Sequence, residues 1–214
     1  MSALLSVMIP LGAPVLIPPR SLCRMRYFEG QLLSAPDLVA EQEYYLNRWR
    51  RHNQWFHGWG VVGGLELCAT SGALLVTPGM ALDCRGDEIV ITSPARVPVP
   101  IAATSPPVLY LVVSAHEELA GRAPLNVVPQ TEGASMEWTR IVEVSRLSCV
   151  PEDPTQGHKR HCGRWIPCGD AHGIPLGRLR RASGRWRIDS RYRRRHVCAC
   201  SASGDTPRSA HGPT

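Results

Sequence analysis

Breaks in regular backbone are what most limit this chain. Nineteen glycines and nineteen prolines are spread through its 214 residues, and each interrupts or bends a helix or strand. Long helices must be few. The expected architecture is mainly β: a sandwich-like body of short strands with one amphipathic N-terminal helix, α+β in class.

The helix has a legible start and stop. Ser34 precedes Pro36 and Asp37, which places a capping side chain before a proline in the first turn and an acid at the positive dipole end. Glu41 and Glu43 come early, whereas Arg48, Arg50 and Arg51 come late, an order that suits the dipole. Leu38, Tyr45, Trp49 and Phe56 are spaced to give one packed face. Gly58 and Gly60 end the helix, so it is predicted over about Ala35 to His57.

Strands follow. "GVVGGLEL" reads as one, and "ALLVTPGMALDCRGDEIVIT" as two or three, with turns at Pro78-Gly79 and Arg85-Gly86-Asp87. "PVLYLVVSAHE" is a continuous apolar run bounded by proline, the pattern of a central strand, and "WTRIVEVSRLS" alternates with period two. "IPLGRLRR" and "RWRIDSRYRRR" form a closing hairpin around Ser183-Gly184. The chain thus divides into an N-terminal arm (1–24), a helix region (25–60), a β domain (61–148), a Cys/His-rich loop (149–173), a β-hairpin completing the β domain (174–200) and a small, polar, disordered tail (201–214).

The formal net charge is +6, and every cation except Lys159 is arginine. A basic balance suits nucleic acid, a membrane surface or an acidic protein partner, and arginine suits bidentate pairing with carboxylates at subunit contacts. Nine arginines fall between Arg178 and Arg195, with Trp186 and Tyr192 among them. That mixture can bind single strands, but no known nucleic-acid motif surrounds it, and a solvated or subunit-facing sheet edge is the plainer reading. No apolar run is long enough to span a bilayer, so no membrane insertion is expected. The apolar N-terminus lacks a positive flank and is broken by Pro10 and Pro14, which predicts a buried or partner-covered arm rather than a secretory signal.

Without such a signal the eight cysteines are expected to be reduced. Cys23, Cys68 and Cys84 are scattered singly, whereas Cys149, Cys162, Cys168, Cys198 and Cys200 gather in the last third, beside His161. Those six are the candidate ligands of a structural zinc that would staple a loop too long to pack its own core, with His158, His172 and His196 in reserve. No Cys-x-x-Cys pair is present, so free thiols or an incidental disulfide stand as the other reading. Catalytic readings have less behind them. "HKRHC" lacks the carboxylate of a metalloprotease helix. Cys162 beside His161 does not by itself make a nucleophile with its base. Asp83, Asp87 and Glu88 read as a hairpin turn in which Asp side chains bond backbone N–H groups.

Several stretches in order carry a resemblance: "RMRYFEGQLLSAPDLVAEQEYYLNRWRRHNQWFHGWGVVGGLEL", then "LLVTPGMALDCRGDEIVI", then "IPLGRL" ahead of "IDSRYR". Over residues 24 to 92, and again over 174 to 195, the chain resembles small proteins encoded with the baseplate genes of phage-tail-like contractile injection systems. The resemblance implies a non-enzymatic structural subunit at or near the baseplate or spike, in a symmetric, multi-copy assembly with other subunits. It carries over no catalytic residue. It implies a protein that is cytoplasmic during assembly and part of a particle released or acting at the cell surface. Tyr27, Phe28, Trp55 and Trp59 would be helix-to-sheet or subunit anchors, and Arg191 and Arg194 part of a charged contact. The alternative is a zinc-stapled binding module for acidic protein or nucleic acid; a hydrolase on a β-rich scaffold comes third.

Overall fold

The structure is a computed structural model and describes residues 22–70, 72–101, 105–124, 136–158, 160–161, 164–165 and 167–197. Most of the expected arm, Cys162, Cys198, Cys200 and the tail lie outside them. The chain forms two units, Met1–Arg48 and Trp49–Thr214.

In the first unit, a turn at Glu29-Gly30 leads into helix α1, Ala35–His52. Its start is reciprocal. The Asp37 carboxylate accepts from the Ser34 backbone N–H at 2.9 Å and from the Ser34 hydroxyl at 2.6 Å, and the Asp37 N–H donates to the Ser34 carbonyl at 3.1 Å. These Ser34 bonds hold the Asp37 carboxyl below its usual range. The packed face predicted for Leu38, Tyr45, Trp49 and Phe56 does not form, since all four are exposed and no residue of α1 is buried.

The second unit begins within α1 at Trp49, and a widened π turn, Asn53–His57, continues α1 to the predicted end. Gly58, at φ +73°, closes it by donating to the Asn53 carbonyl at 2.9 Å. Twelve strands follow among the described residues: β1 (Gly60–Gly64), β2 (Leu67–Thr70), β3 (Ala73–Val76), β4 (Gly79–Leu82), β5 (Glu88–Ile91), β6 (Ala95–Pro98), β7 (Val108–Pro124), β8 (Met136–Val150), β9 (Arg160–His161), β10 (Arg164–Trp165), β11 (Ile174–Ala182) and β12 (Arg185–Ile188). They build two three-stranded sheets, β1-β4-β5 and β2-β3-β6, a four-stranded sheet, β12-β11-β7-β8, and the small β9-β10 pair. All pairings between these strands are antiparallel.

The body is mainly β and sandwich-like. β5 packs against β7 and β8, and β1 against β11. One core cluster joins all three larger sheets, with Val61, Leu65, Val76, Ile89, Leu111, Val113, Ile174 and Leu179 buried in it. β7 is the central strand its apolar run predicts, flanked by β11 and β8, and the closing hairpin pairs as expected, from Leu179 opposite Ile188 to Ala182 opposite Arg185.

"GVVGGLEL" is not one strand. The chain must leave the first sheet and enter the second between β1 and β2, and it does so through Gly64 and Leu65, both left-handed at φ +63° and +56°. Left-handed backbone is costly for a leucine. Here it is held from two sides: the Leu65 N–H donates to the Pro78 carbonyl at 3.2 Å, and the Arg194 guanidinium donates to the Leu65 carbonyl at 2.6 Å while pairing with Glu66.

Candidate functional site

The β4–β5 turn, Asp83 to Asp87, is the tight Asp-anchored turn that its sequence predicts. The Asp87 N–H donates to the Asp83 side chain at 2.8 Å, and the Gly86 N–H to the Asp83 carbonyl at 3.1 Å. The π turn grips it from outside. Asn53 Nδ2 donates to the Gly86 carbonyl and Gln54 Nε2 to the Cys84 carbonyl, both at 2.9 Å, while Arg50 and Arg85 pair with Asp87. Widening a helical turn re-aims its side chains, and here it lets Arg50, Asn53 and Gln54 all reach one turn.

That grip fixes Cys84, which is fully buried and points at the 151–173 segment. Cys84 Sγ lies 3.1 Å from His158 Nε2, and His158 Nε2 lies 3.0 Å from His172 Nε2. With Cys168 Sγ these form a group of four ligand atoms all within 4.8 Å of one another. The buried indole of Trp59, 2% exposed, covers them, its centroid 4.8 Å from the His158 ring and 6.1 Å from that of His172. Arg195 lies over the indole ring, its guanidinium carbon 4.4 Å from the centroid and its Nε donating to the Trp59 carbonyl at 2.7 Å. Burial, with Cys168 beside it, pushes the Cys84 thiol up to about 12.

Of the six expected ligands, Cys168 is in this group. Cys149 sits on β8, packed against the core, where burial raises its pKa. His161 lies on β9, and the other three lie outside the described residues. His158 and His172, held in reserve, are members. Cys84 is the residue that sequence spacing misses: it stands 74 positions from His158, and only the fold joins them.

The expected contact residues separate into two kinds. Tyr27, Phe28 and Trp55 are exposed. Trp59 is a core residue, so it anchors within the chain and has no surface to offer a partner. Arg194 likewise bonds internally, to Leu65 and Glu66, while Arg191 has an exposed side chain and donates its backbone N–H to Asp189. Much of the arginine-rich end is engaged in the same way. Arg178 and Arg180 both pair with Asp189 at 2.7 and 2.6 Å, Arg181 donates to the Ser105 carbonyl and Arg193 to that of Ser190.

Asp189 therefore closes the last hairpin. The Arg191 N–H, the Arg180 and Arg178 side chains and the positive charge of Arg178 hold its carboxyl down at about 2, against the opposing effect of desolvation. A depressed carboxylate adds stability above its unfolded value of about 3.9 and loses it as pH falls toward the folded value. The urea midpoint of the wild type is expected to fall more steeply than that of Asp189→Asn between about pH 5 and 2. Parallel curves would show that Asp189 does not contribute.

A second surface feature has no counterpart in sequence periodicity. β7 and β8 pair in one register from Tyr110 opposite Val150 to Pro124 opposite Met136. Only the inner half packs on the body, where the Ser145 hydroxyl donates to the Val90 carbonyl at 2.9 Å. From Met136 to Glu143 both faces of β8 are exposed, Trp138, Ile141 and Val142 among them. Leu119 is exposed on the facing strand, and Arg122 lies over the Trp138 ring at 4.8 Å.

No protein-family model and no curated protein matches the chain. Among solved structures it is similar in coarse outline to a chain of the TssK-TssF-TssG baseplate subcomplex of the type VI secretion system, with TM-score 0.45 and 16% identity over 81% of this chain and 61% of that one. It is similar also to TssK in a crystal structure, with TM-score 0.46 and 14% identity over 78% of this chain and 41% of that one. A chain of the type VI secretion baseplate complex gives 0.42 and 18% over 81% and 59%. The chain thus spans between 41% and 61% of the length of those proteins. No described helix is long and apolar enough to cross a membrane.

Proposed function

We propose that this chain is a non-enzymatic structural subunit of a phage-tail-like contractile injection system, built in at or near the baseplate or spike in several symmetric copies. Its sequence resemblance supplies the kind of particle. The observation that carries a role in assembly is the outer half of the β7–β8 ribbon. A two-stranded ribbon alone is marginally stable in water, and this one exposes Leu119, Trp138, Ile141 and Val142. Leu119 and Ile141 oppose one another on one face, and Trp138 and Val142 lie on the other; exposed apolar groups on both faces suit contact with another protein, and tryptophan is a preferred anchor at such contacts. The assembly subunit is the class of protein that would carry such an arm unpartnered only until it is built in.

The test is removal. Cells that produce the particle without this chain are expected to yield no complete baseplates; particles that assemble and fire normally would end the proposal. The arm is separable from the fold: Trp138→Ala with Ile141→Ala is expected to change unfolding free energy by less than about 1 kcal/mol while abolishing incorporation into particles, read by immunoblot of sedimented material.

A zinc-stapled module binding acidic protein or nucleic acid is the second reading. The Cys84–His158–Cys168–His172 cluster favours its staple, but the arginines of its basic surface are largely paired within the chain. Binding of a single-stranded oligonucleotide that weakens steeply with salt and is lost on changing Arg191 and Arg194 would favour it.

A further inference from the structure

We propose that Cys84, His158, Cys168 and His172 form a four-coordinate structural zinc site that staples the 151–173 segment to the β4–β5 turn. The proposal does not depend on the particle assignment.

Hydrogen-bond partners carry the argument. His158 Nδ1 lies 2.8 Å from the Thr155 carbonyl, and His172 Nδ1 lies 3.1 Å from the Gly173 carbonyl. A carbonyl only accepts, so each Nδ1 must hold the ring proton. In two neutral rings that leaves both Nε2 atoms as bare lone pairs, and these face one another at 3.0 Å with the Cys84 sulfur 3.1 Å away. The Cys84 thiol can donate to only one of them, so two such lone pairs at 3.0 Å call for a cation between them. An Nδ1–H bonded to a backbone carbonyl is also the outer-shell arrangement that orients a metal-binding imidazole.

The donor set selects the ion. Two sulfurs and two imidazoles make the tetrahedral S₂N₂ set that favours zinc. Bond lengths of about 2.3 Å to sulfur and about 2.0 Å to nitrogen place tetrahedral ligand atoms roughly 3.3 to 3.8 Å apart by geometry. The four atoms, none more than 4.8 Å from another, need only small side-chain shifts to reach it. The loop has reason to need a staple. Between Pro151 and Gly173 the described residues include none that is buried, and the segment meets the body through these side chains and Trp59, with the Tyr192 hydroxyl donating to Asp153 at 3.5 Å. Cys84, by contrast, sits in a turn already clamped by Asn53 and Gln54, so a rigid half-site awaits a soft one.

One other species could supply the missing charge, a proton shared between the imidazoles, and a Cys84–Cys168 disulfide would take both sulfurs out of the donor set. The full chain, purified with reductant and without chelator, is expected to hold one zinc per chain by elemental analysis. Cobalt substitution should give the visible bands of a tetrahedral thiolate site. Cys168→Ser, at an exposed position that should not disturb folding, and His172→Ala are each expected to weaken zinc binding at least about tenfold, while Cys149→Ser leaves it unchanged. Chelation should speed proteolysis within 151–173 without altering hydrogen exchange in β7 and β11. Protein refolded with excess zinc that retains none overturns the proposal, as does a protein two mass units light from a Cys84–Cys168 disulfide. Zinc that stays in both the Cys168→Ser and His172→Ala variants overturns it as well.

Discussion

Gly64→Ala is expected to cost about 3 kcal/mol or more in unfolding free energy, among the largest effects of any single methyl added to this chain. Two costs combine at the corner between β1 and β2. The backbone is left-handed at φ +63°, and an added Cβ would lie 2.1 Å from the Pro78 carbonyl oxygen and 2.8 Å from Gly79 Cα. Neither is the end of a flexible side chain, so β1 and the start of β4, paired there as Gly64 opposite Gly79, would have to part. Gly72→Ala separates the terms. Its φ is +72°, yet nothing lies within 4 Å of its Cβ position, so it should lose only the left-handed penalty of about 1–2 kcal/mol. Urea denaturation of both variants measures the difference. Equal losses would mean that the crossing is not closely packed.

Trp59→Ala is expected to cost about 3–5 kcal/mol. The indole is almost fully buried and packs within the core cluster, against the His158 and His172 rings on one side and beneath the Arg195 guanidinium. Truncation leaves a cavity there and removes a cation–π contact of about 0.5–2 kcal/mol. The loss should be found with and without added zinc, because most of it is packing. Trp59→Phe should recover more than half. A loss in Trp59→Ala that vanishes in chelator would show that the indole matters only through the metal cluster.

Local signals were legible in the sequence wherever the cause was local. Ser34 and Asp37 mark the start of α1 because their bond spans three residues, and Gly58 marks the end at His57. Asp83 and Asp87 mark their turn for the same reason, and the apolar run at Val108 marks a central strand. The resemblance to baseplate-associated proteins likewise rests on contiguous stretches. What could not be read depends on distant partners. The last turn of the helix widens because Asn53 and Gln54 grip a turn some 30 residues on. The break at Leu65 is held by Arg194, 129 positions away. The metal cluster shows the same division: the loop supplying Cys168, His158 and His172 stands out by composition, whereas Cys84 carries no spacing signal at all. The amphipathic spacing of Leu38, Tyr45, Trp49 and Phe56 predicts one packed face, yet all four are exposed, because spacing shows that a face exists without saying what covers it.

The unbroken register of β7 and β8 has a consequence for how such an arm can change. Every opposed pair obeys one offset, from Tyr110–Val150 out to Pro124–Met136, and side chains alternate with a period of two. Deleting two residues from each strand would shorten the reach by about 7 Å and leave every remaining side chain on its original face. Deleting one from each would turn the outer surface over. The ribbon is in effect a ruler graduated in steps of two.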